Sequence, residues 1–341
     1  MGVERNGARA ARPVSMAQVA RAAGVSQQTV SRVANDLPNV SARTRERVLR
    51  AMEELGFRPN FAGKSLRSGR YNAVGLCLYD VTEFGNLATL RGILSAAREH
   101  EYAVTMVEMG ANTPMSLAGA SERMVGLPVD GLIVSMSIRA SDFDSFRPHP
   151  GLSTVLLTVY EHPACTTVDS DQRGCSELVV DYLAGRGHRE IRFVSGPAFS
   201  VDSTFRELGW REALAARGLA TAEPLRGDWS ADSGYEAGQV LARDERATAV
   251  YVANDQMALG VVEALRDGGR RVPEDVSVVG VDDSLGASVP HFDLTTVRFD
   301  LIARGRAAFE HVLLGSAPDY RPAAVRVPPT LVERRTVRDL R

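Results

Sequence analysis

Two patterns of apolar and polar positions divide the chain. Up to about residue 56, apolar residues recur every three to four positions in short bursts, each opened by a serine. Ser15 stands three residues before Gln18, a capping box that starts a helix over Met16 to Ala23, with Val19 and Ala20 facing inward and Gly24 free to take the left-handed turn. Ser26 opens a second helix, Gln27 to Ala34, whose inner face is Val30 and Val33. Ser41 opens a third, ending near Leu55 before Gly56, with Val48, Met52 and Leu55 on one face. From Ala73 the pattern changes. Strand-like runs at 74–79, 103–108, 131–135, 154–159, 191–195, 249–252 and 276–281 alternate with helical stretches at 87–99, 116–126, 173–185, 205–217, 233–243, 257–267 and 301–314. Alternation of this kind predicts parallel sheets covered on both faces, and periodicity leaves open whether there is one sheet or two.

Charge sharpens the division. Residues 1–70 hold 13 Lys+Arg against 5 Asp+Glu, a net +8, which leaves −10 on the remainder of a chain whose formal charge is −2. A basic head on an acidic body fits a polyanionic partner, although a solvated basic surface has the same charge. Two short helices joined by a glycine turn form a helix-turn-helix, whose second helix enters the major groove. Its exposed positions are Gln27 and Gln28, with Arg32 one turn on. Glutamine pairs bidentately with adenine and arginine with guanine, so these three are the expected base-reading residues. Thr29 and Ser31 are placed to bond phosphates. Residues 1–13, with Arg5, Arg9 and Arg12, read as a disordered basic arm.

The run V-A-R-A-A-G-V-S-Q-Q-T-V-S-R-V, Val19 to Val33, closely resembles the DNA-binding head of the lactose-repressor (LacI/GalR) family. Phe57-Arg58-Pro59-Asn60 matches the start of that family's hinge, and Asn60 to Ser68 the hinge helix. By resemblance, Asn60 and Lys64 contact the DNA backbone, with Arg67, and Leu66 wedges into the minor groove. Gly63 stands where the family usually has alanine, which costs a helix about 1 kcal/mol. The likeness continues through G-H-R-E-I (187–191), G-P-A-F-S-V-D-S-T-F-R (196–206), G-D-W-S-A-D-S-G-Y (227–235), A-N-D-Q-M-A-L-G (253–260), S-V-V-G-V-D-D (277–283), L-T-T-V (294–297) and L-V-E-R-R-T (331–336). It implies an α-helical head at 14–59, a hinge and linker at 60–72, and an α/β, two-lobed, periplasmic-binding-protein-like effector and dimerisation domain at 73–341. The first lobe is expected at about 73–159 and 299–322, the second at about 169–287 and 324–341, with crossings near 160–168, 286–298 and 322–328.

Open α/β sheets bind ligands outside the carboxyl ends of their strands. Asn254 follows the strand 249–252, Asp282 follows 276–281, Arg206 lies past the loop after 191–195, and Trp229 follows the strand-like 223–226. Guanidinium, amide and carboxylate complement vicinal hydroxyls, and an indole packs a pyranose face. The competing readings are helix caps for Asn254 and Asp282, a core position for Trp229 and a surface ion pair for Arg206. By resemblance all four are effector contacts. Phe84 and Ser135 are first-lobe candidates against plain packing. Where a lactose-reading member offers an aspartate, this chain has Thr158, and where that member offers a serine, it has Asp202, so a different hydroxyl pattern is expected.

No GxGxxG, phosphate loop or GxSxG elbow is present, and the six histidines, including His162, His188 and His291, show no metal spacing. Neither enzyme activity, cofactor nor metal is expected. Cys77, Cys165 and Cys175 are scattered, and no signal segment or membrane-length apolar run is seen, so a cytoplasmic, nucleoid-associated protein is expected. The expected function is a repressor of carbohydrate-utilisation genes, homodimeric because no C-terminal leucine heptad follows Thr336. It sits on near-palindromic double-stranded operator DNA and is released by a neutral sugar. The alternatives are a purine or sugar-phosphate sensor, including a corepressor mode, and a sugar-binding or sugar-modifying protein without regulatory role.

Overall fold

The computed structural model describes residues 14–35, 37–57, 69–78, 84–109, 116–286, 289 and 293–341, and the backbone alone of Phe84. Two compact units result, Met1–Tyr71 and Asn72–Arg341.

The first unit is helical: α1 Met16–Ala23, α2 Gln27–Ala34 and α3 Ala42–Leu55. Each start is set within four residues. Gln18 and Ser15 exchange cap bonds, Ser26 Oγ accepts from Thr29 N at 3.1 Å, and Ser41 Oγ accepts from Thr44 N at 3.3 Å. Gly24 and Gly56 close α1 and α3 at φ 60 and 65, a backbone region that costs glycine nothing. Val19, Val30 and Val48 are fully buried at the centre of the core. Leu55 departs from expectation: it is the last helical residue and is exposed, while Phe57 folds back beyond the glycine and is buried.

The second unit has two α/β lobes. The first contains β1 Ala73–Leu78, α4 Phe84–Glu99, β2 Ala103–Glu108, α5 Leu117–Val125, β3 Gly131–Ser135, β4 Ser153–Leu157 and β5 Thr166–Asp169. The second contains α6 Gln172–Gly185, β6 Ile191–Ser195, α7 Val201–Ala216, β7 Leu225–Arg226, α8 Ala231–Ala242, β8 Ala249–Val252, α9 Asp255–Asp267, β9 Ser277–Val281 and β10 Thr295–Phe299. Then α10 Leu301–Leu314 and β11 Ala324–Arg326 return to the first lobe, and β12 Pro329–Val332 to the second. The sheets run β11-β5-β4-β3-β1-β2 and β12-β10-β9-β8-β6-β7. Their pairs are parallel, except that β10 and β12 are antiparallel.

The chain therefore changes lobe after Asp169, between Phe299 and Leu301, and between Arg326 and Pro329, later than expected at the first two places. The cause is pairing. β5 is short and threonine-rich, so it shows no apolar run, yet it is fully buried between β4 and β11. Likewise β10 lies between β9 and β12 in the second sheet. Helix α10 packs Ala308, Phe309 and Val312 against Val74 and Leu76 of β1. It approaches α4 closely enough that a Cβ at Gly305 would collide with the Thr89 backbone. Among the described residues no helix is long and apolar enough to cross a membrane.

Candidate functional site

On α2, Gln27, Gln28 and Arg32 are exposed while Val30 and Val33 are buried on the opposite face. Thr29 Oγ1 lies 3.0 Å from Ser26 Oγ, within the cap, and Ser31 O accepts from Asn35 Nδ2 at 2.5 Å. Asn60, Lys64 and Leu66 lie outside the described residues.

In the second unit a cavity of about 250 Å³ opens between the lobes. Arg206, Trp229, Asn254, Asp282, Asp202 and Ser135 line it. Arg206 is held from several sides. Its Nε donates to Gln172 Oε1 at 2.8 Å, Nη1 donates to Ala253 O, and Nη2 stands 3.8 Å from Asp282 Oδ1. The guanidinium also lies 5.7 Å from the Trp229 ring and 5.6 Å from that of Phe299. Burial works against its charge, but Asp282 and Asp202 hold its pKa above the usual arginine value. Burial likewise raises Asp282; Arg206 pulls it back and Asp202 pushes it up. A surface ion pair does not describe this buried arginine.

Asn254 caps α9, as one reading had it, and lines the cavity as well. Its Oδ1 accepts from Met257 N at 2.9 Å and its Nδ2 donates to Trp229 O at 3.0 Å. Among the described residues Asp282 caps no helix: it follows β9 at φ 103 and its N–H donates to Val297 O at 2.7 Å. Trp229 also has positive φ, 78, and its half-buried ring packs where a Cβ on Gly196 would stand. Two non-glycine residues in this strained backbone region flank one cavity, as is common where side chains are aimed for binding.

Ser135 Oγ donates to Asn86 Oδ1 at 3.2 Å on the first-lobe wall. The Phe84 side chain lies outside the described atoms, but Gly85 and Asn86 beside it reach the cavity. Thr158 does not line it: the residue is buried and its Oγ1 accepts from Tyr160 N at 3.4 Å. Sequence reasoning missed Gln172, Gln256, Phe199, Phe299 and Arg304, all of which line the cavity. Gln172, Gln256 and Arg304 fall one, two and four residues after the caps Asp171, Asn254 and Asp300, so the signal was a polar residue in the opening turns of α6, α9 and α10. Across the cleft, Val201 N donates to Ser137 O at 3.0 Å, and the Tyr160 and Phe205 rings meet edge-on at 5.3 Å.

Two buried acids lie beside the cavity. Asp255 accepts from Thr296 Oγ1 at 2.6 Å and Ser284 N at 2.8 Å; burial and then the Asp282 charge push its pKa to about 7. Burial pushes Asp169 to about 6, opposed by Arg304 and aided by Asp202. Among the described residues no cluster of three His, Cys, Asp or Glu could hold a metal ion. The three cysteines are buried, and burial raises their thiols to about 11 or 12.

Residues 15–60 match the family of bacterial regulatory proteins, lacI family, and residues 180–337 match a periplasmic binding protein-like domain. The lactose operon repressor of Escherichia coli (strain K12) is 31% identical over 329 residues, 95% of this chain and 91% of that protein. A lac repressor dimer bound to operator and the anti-inducer ONPF superposes with a TM-score of 0.86 at 30% identity, covering 96% of this chain and 100% of that one. The complex of the transcriptional regulator CelR with cellobiose gives 0.66 at 30% identity, covering 95% and 99%. These relatives are transcription regulators, not enzymes. A helical head followed by a two-lobed α/β domain is the fold that superposes on the lac repressor, and the chain belongs to the lacI family of bacterial regulatory proteins, DNA-binding transcription regulators with an effector-binding domain.

Proposed function

We propose that the protein represses carbohydrate-utilisation genes as a cytoplasmic homodimer and leaves its operator when a neutral sugar fills the cleft. One observation carries the effector half of this reading: Arg206, Asp282, Asn254 and Trp229, from four separate segments, meet on one cavity of about 250 Å³. Donor, acceptor and indole face match the hydroxyls and apolar face of a pyranose. The similar CelR was captured with cellobiose, and the similar lac repressor as a dimer on operator. In the head, Gln27, Gln28 and Arg32 read bases, Thr29, Ser31, Asn60 and Lys64 contact the backbone, and Leu66 enters the minor groove. Residues 14–59 act as the reader, 60–72 as hinge and linker, and 73–341 as sensor and dimerisation domain. Ligand bound between the lobes favours one lobe arrangement, and the hinge transmits that preference to the head.

Coupling between effector and DNA sites is typically about 1–3 kcal/mol, so sugar weakens operator binding about 5–150-fold. Operator titration with and without a panel of mono- and disaccharides tests this. Affinity that ignores every sugar sinks the switch, and tighter binding with a ligand reverses its sign to corepression.

A further inference from the structure

The cleft has a second arginine that the reading above leaves unused. Arg304 sits in the opening turns of α10, on the first-lobe wall, lines the cavity and is only 9% exposed. Among the described residues its Nε has no hydrogen-bond partner. Arg206, opposite it, is bonded to Gln172 and Ala253 and paired with Asp282. Asp169 is close enough for its charge to act on Arg304, but a buried guanidinium Nε left without a hydrogen bond is rare. Nor can its backbone easily withdraw: Asp300 Oδ1 caps α10 by accepting from Ala303 N at 2.8 Å, and Gly305 packs on the Thr89 backbone.

We infer that Arg304 is a ligand-reading residue, and that an uncharged, hydroxyl-rich ligand bridges it to Asp202 on the opposite lobe; this rests on the cleft being the effector site. The charges decide against an anionic ligand. Two guanidiniums, Arg206 and Arg304, face Asp202 and Asp282 in the cavity lining, with Asp169 close enough to feel both Arg304 and Asp202. Arg206 already pairs with Asp282. A phosphate or carboxylate drawn to Arg304 would also meet the field of Asp202 and Asp169. A hydroxyl accepts from a guanidinium through its oxygen and donates its own hydrogen to a carboxylate, so neighbouring hydroxyls satisfy Arg304 and Asp202 together. Because one residue belongs to α10 on the first lobe and the other to α7 on the second, the same ligand ties the lobes together.

The test is calorimetry on the full chain with glucose, galactose, lactose and cellobiose, and with glucuronate and glucose 6-phosphate. The wild type is expected to bind one of the neutral sugars and to bind both anions more weakly. Arg304→Leu weakens that sugar by at least about tenfold, as does Asp202→Asn, since each loses a charge-assisted hydrogen bond. Arg304→Lys recovers part of the loss, and a cooperative melt verifies that each variant is folded. Sugar affinity in Arg304→Leu and Arg304→Lys within about twofold of wild type overturns the inference. So does tighter binding of glucuronate or glucose 6-phosphate than of any neutral sugar. Arg206→Ala separates the two levels. If it abolishes sugar binding while the Arg304 variants do not, only the role of Arg304 falls. If it changes nothing, or if no compound of the panel binds the wild type, the effector-site reading falls and this inference with it.

Discussion

The two proposed working surfaces are built in opposite ways. On α2, the proposed base readers Gln27, Gln28 and Arg32 are exposed, and the residues that hold the helix, Ser26, Val30 and Val33, are different ones. In the cleft the proposed ligand readers are also the scaffold. Arg206 is buried and bonded to Gln172 and Ala253, and Asn254 spends its amide on the α9 cap and on Trp229 O. Function and stability are separable on the helix and entangled in the cleft. The reason is solvent: an exposed side chain needs no partner until DNA arrives, whereas buried polar groups such as Arg206 and Asn254 are satisfied by the protein before any ligand arrives, with Arg304 Nε the exception in the cleft among the described residues.

The largest expected effect exploits that entanglement. Arg206→Ala leaves the Asp282 carboxylate beside the cavity without its counter-charge, and removing one partner of a buried pair costs about 3–5 kcal/mol. Urea denaturation should show that loss, and calorimetry should show sugar binding abolished in the same variant. Lost binding at unchanged stability would break the claim that the cleft residues hold one another.

Asp255 gives the next effect, through pH. Its pKa rises from 3.8 to about 7 on folding, so the folded state binds its proton more tightly than the unfolded state. The resulting stabilisation is complete below about pH 4 and is lost as pH rises through about 7, with a ceiling of about 4 kcal/mol. Burial lowers His162, His188 and His311, which favours the fold as pH rises and opposes this trend. Comparison with Asp255→Asn cancels the histidines. Asparagine is isosteric with the protonated acid, donating to Thr296 Oγ1 and accepting from Ser284 N, so the variant nearly matches the wild type at pH 5 and gains on it by pH 8. Parallel stability curves from urea denaturation would contradict the raised pKa.

The same contrast explains what was legible in the sequence. Every start and stop in the head is written within a few residues, as in Ser15 with Gln18 or Gly56 after Leu55. Only Leu55 misled, because a helical wheel does not show that the chain turns at Gly56 and brings Phe57 in. In the body, strand ends correctly marked where polar residues gather, since a buried strand must surface there. The first turns of α6 and α9 were less legible, because their polar residues precede the apolar repeat and made those helices read as starting late, at 173 and 257, whereas α10 was read from its true start at 301. β5 and β10 were missed for a different reason: sheet membership is a long-range pairing that Thr166, Thr167, Thr295 and Thr296 do not announce locally. Arg304 was invisible because no sequence pattern shows that a charged side chain is enclosed.

On the separable side, Gln28→Ala should weaken operator binding by about 1–3 kcal/mol, roughly 5–150-fold at fixed salt, without moving the melting transition. A lower melting temperature would show that the exposed face also holds the head together.

Ser26 gives the smallest effect and the finest test, because it stands at the edge of the proposed reading surface. Its Oγ accepts from Thr29 N at 3.1 Å and lies 3.0 Å from Thr29 Oγ1, so it holds the turn from which Gln27 and Gln28 project. Ser26→Ala should cost about 1 kcal/mol and Ser26→Gly only a few tenths, since glycine also suits the cap position. Hydrogen exchange at the Thr29 amide reads that loss directly. If Ser26 acts only as a cap, operator affinity follows exchange protection in both variants. If affinity falls equally in both while protection differs, the hydroxyl itself touches DNA, and at this one residue the head joins function to stability as the cleft does.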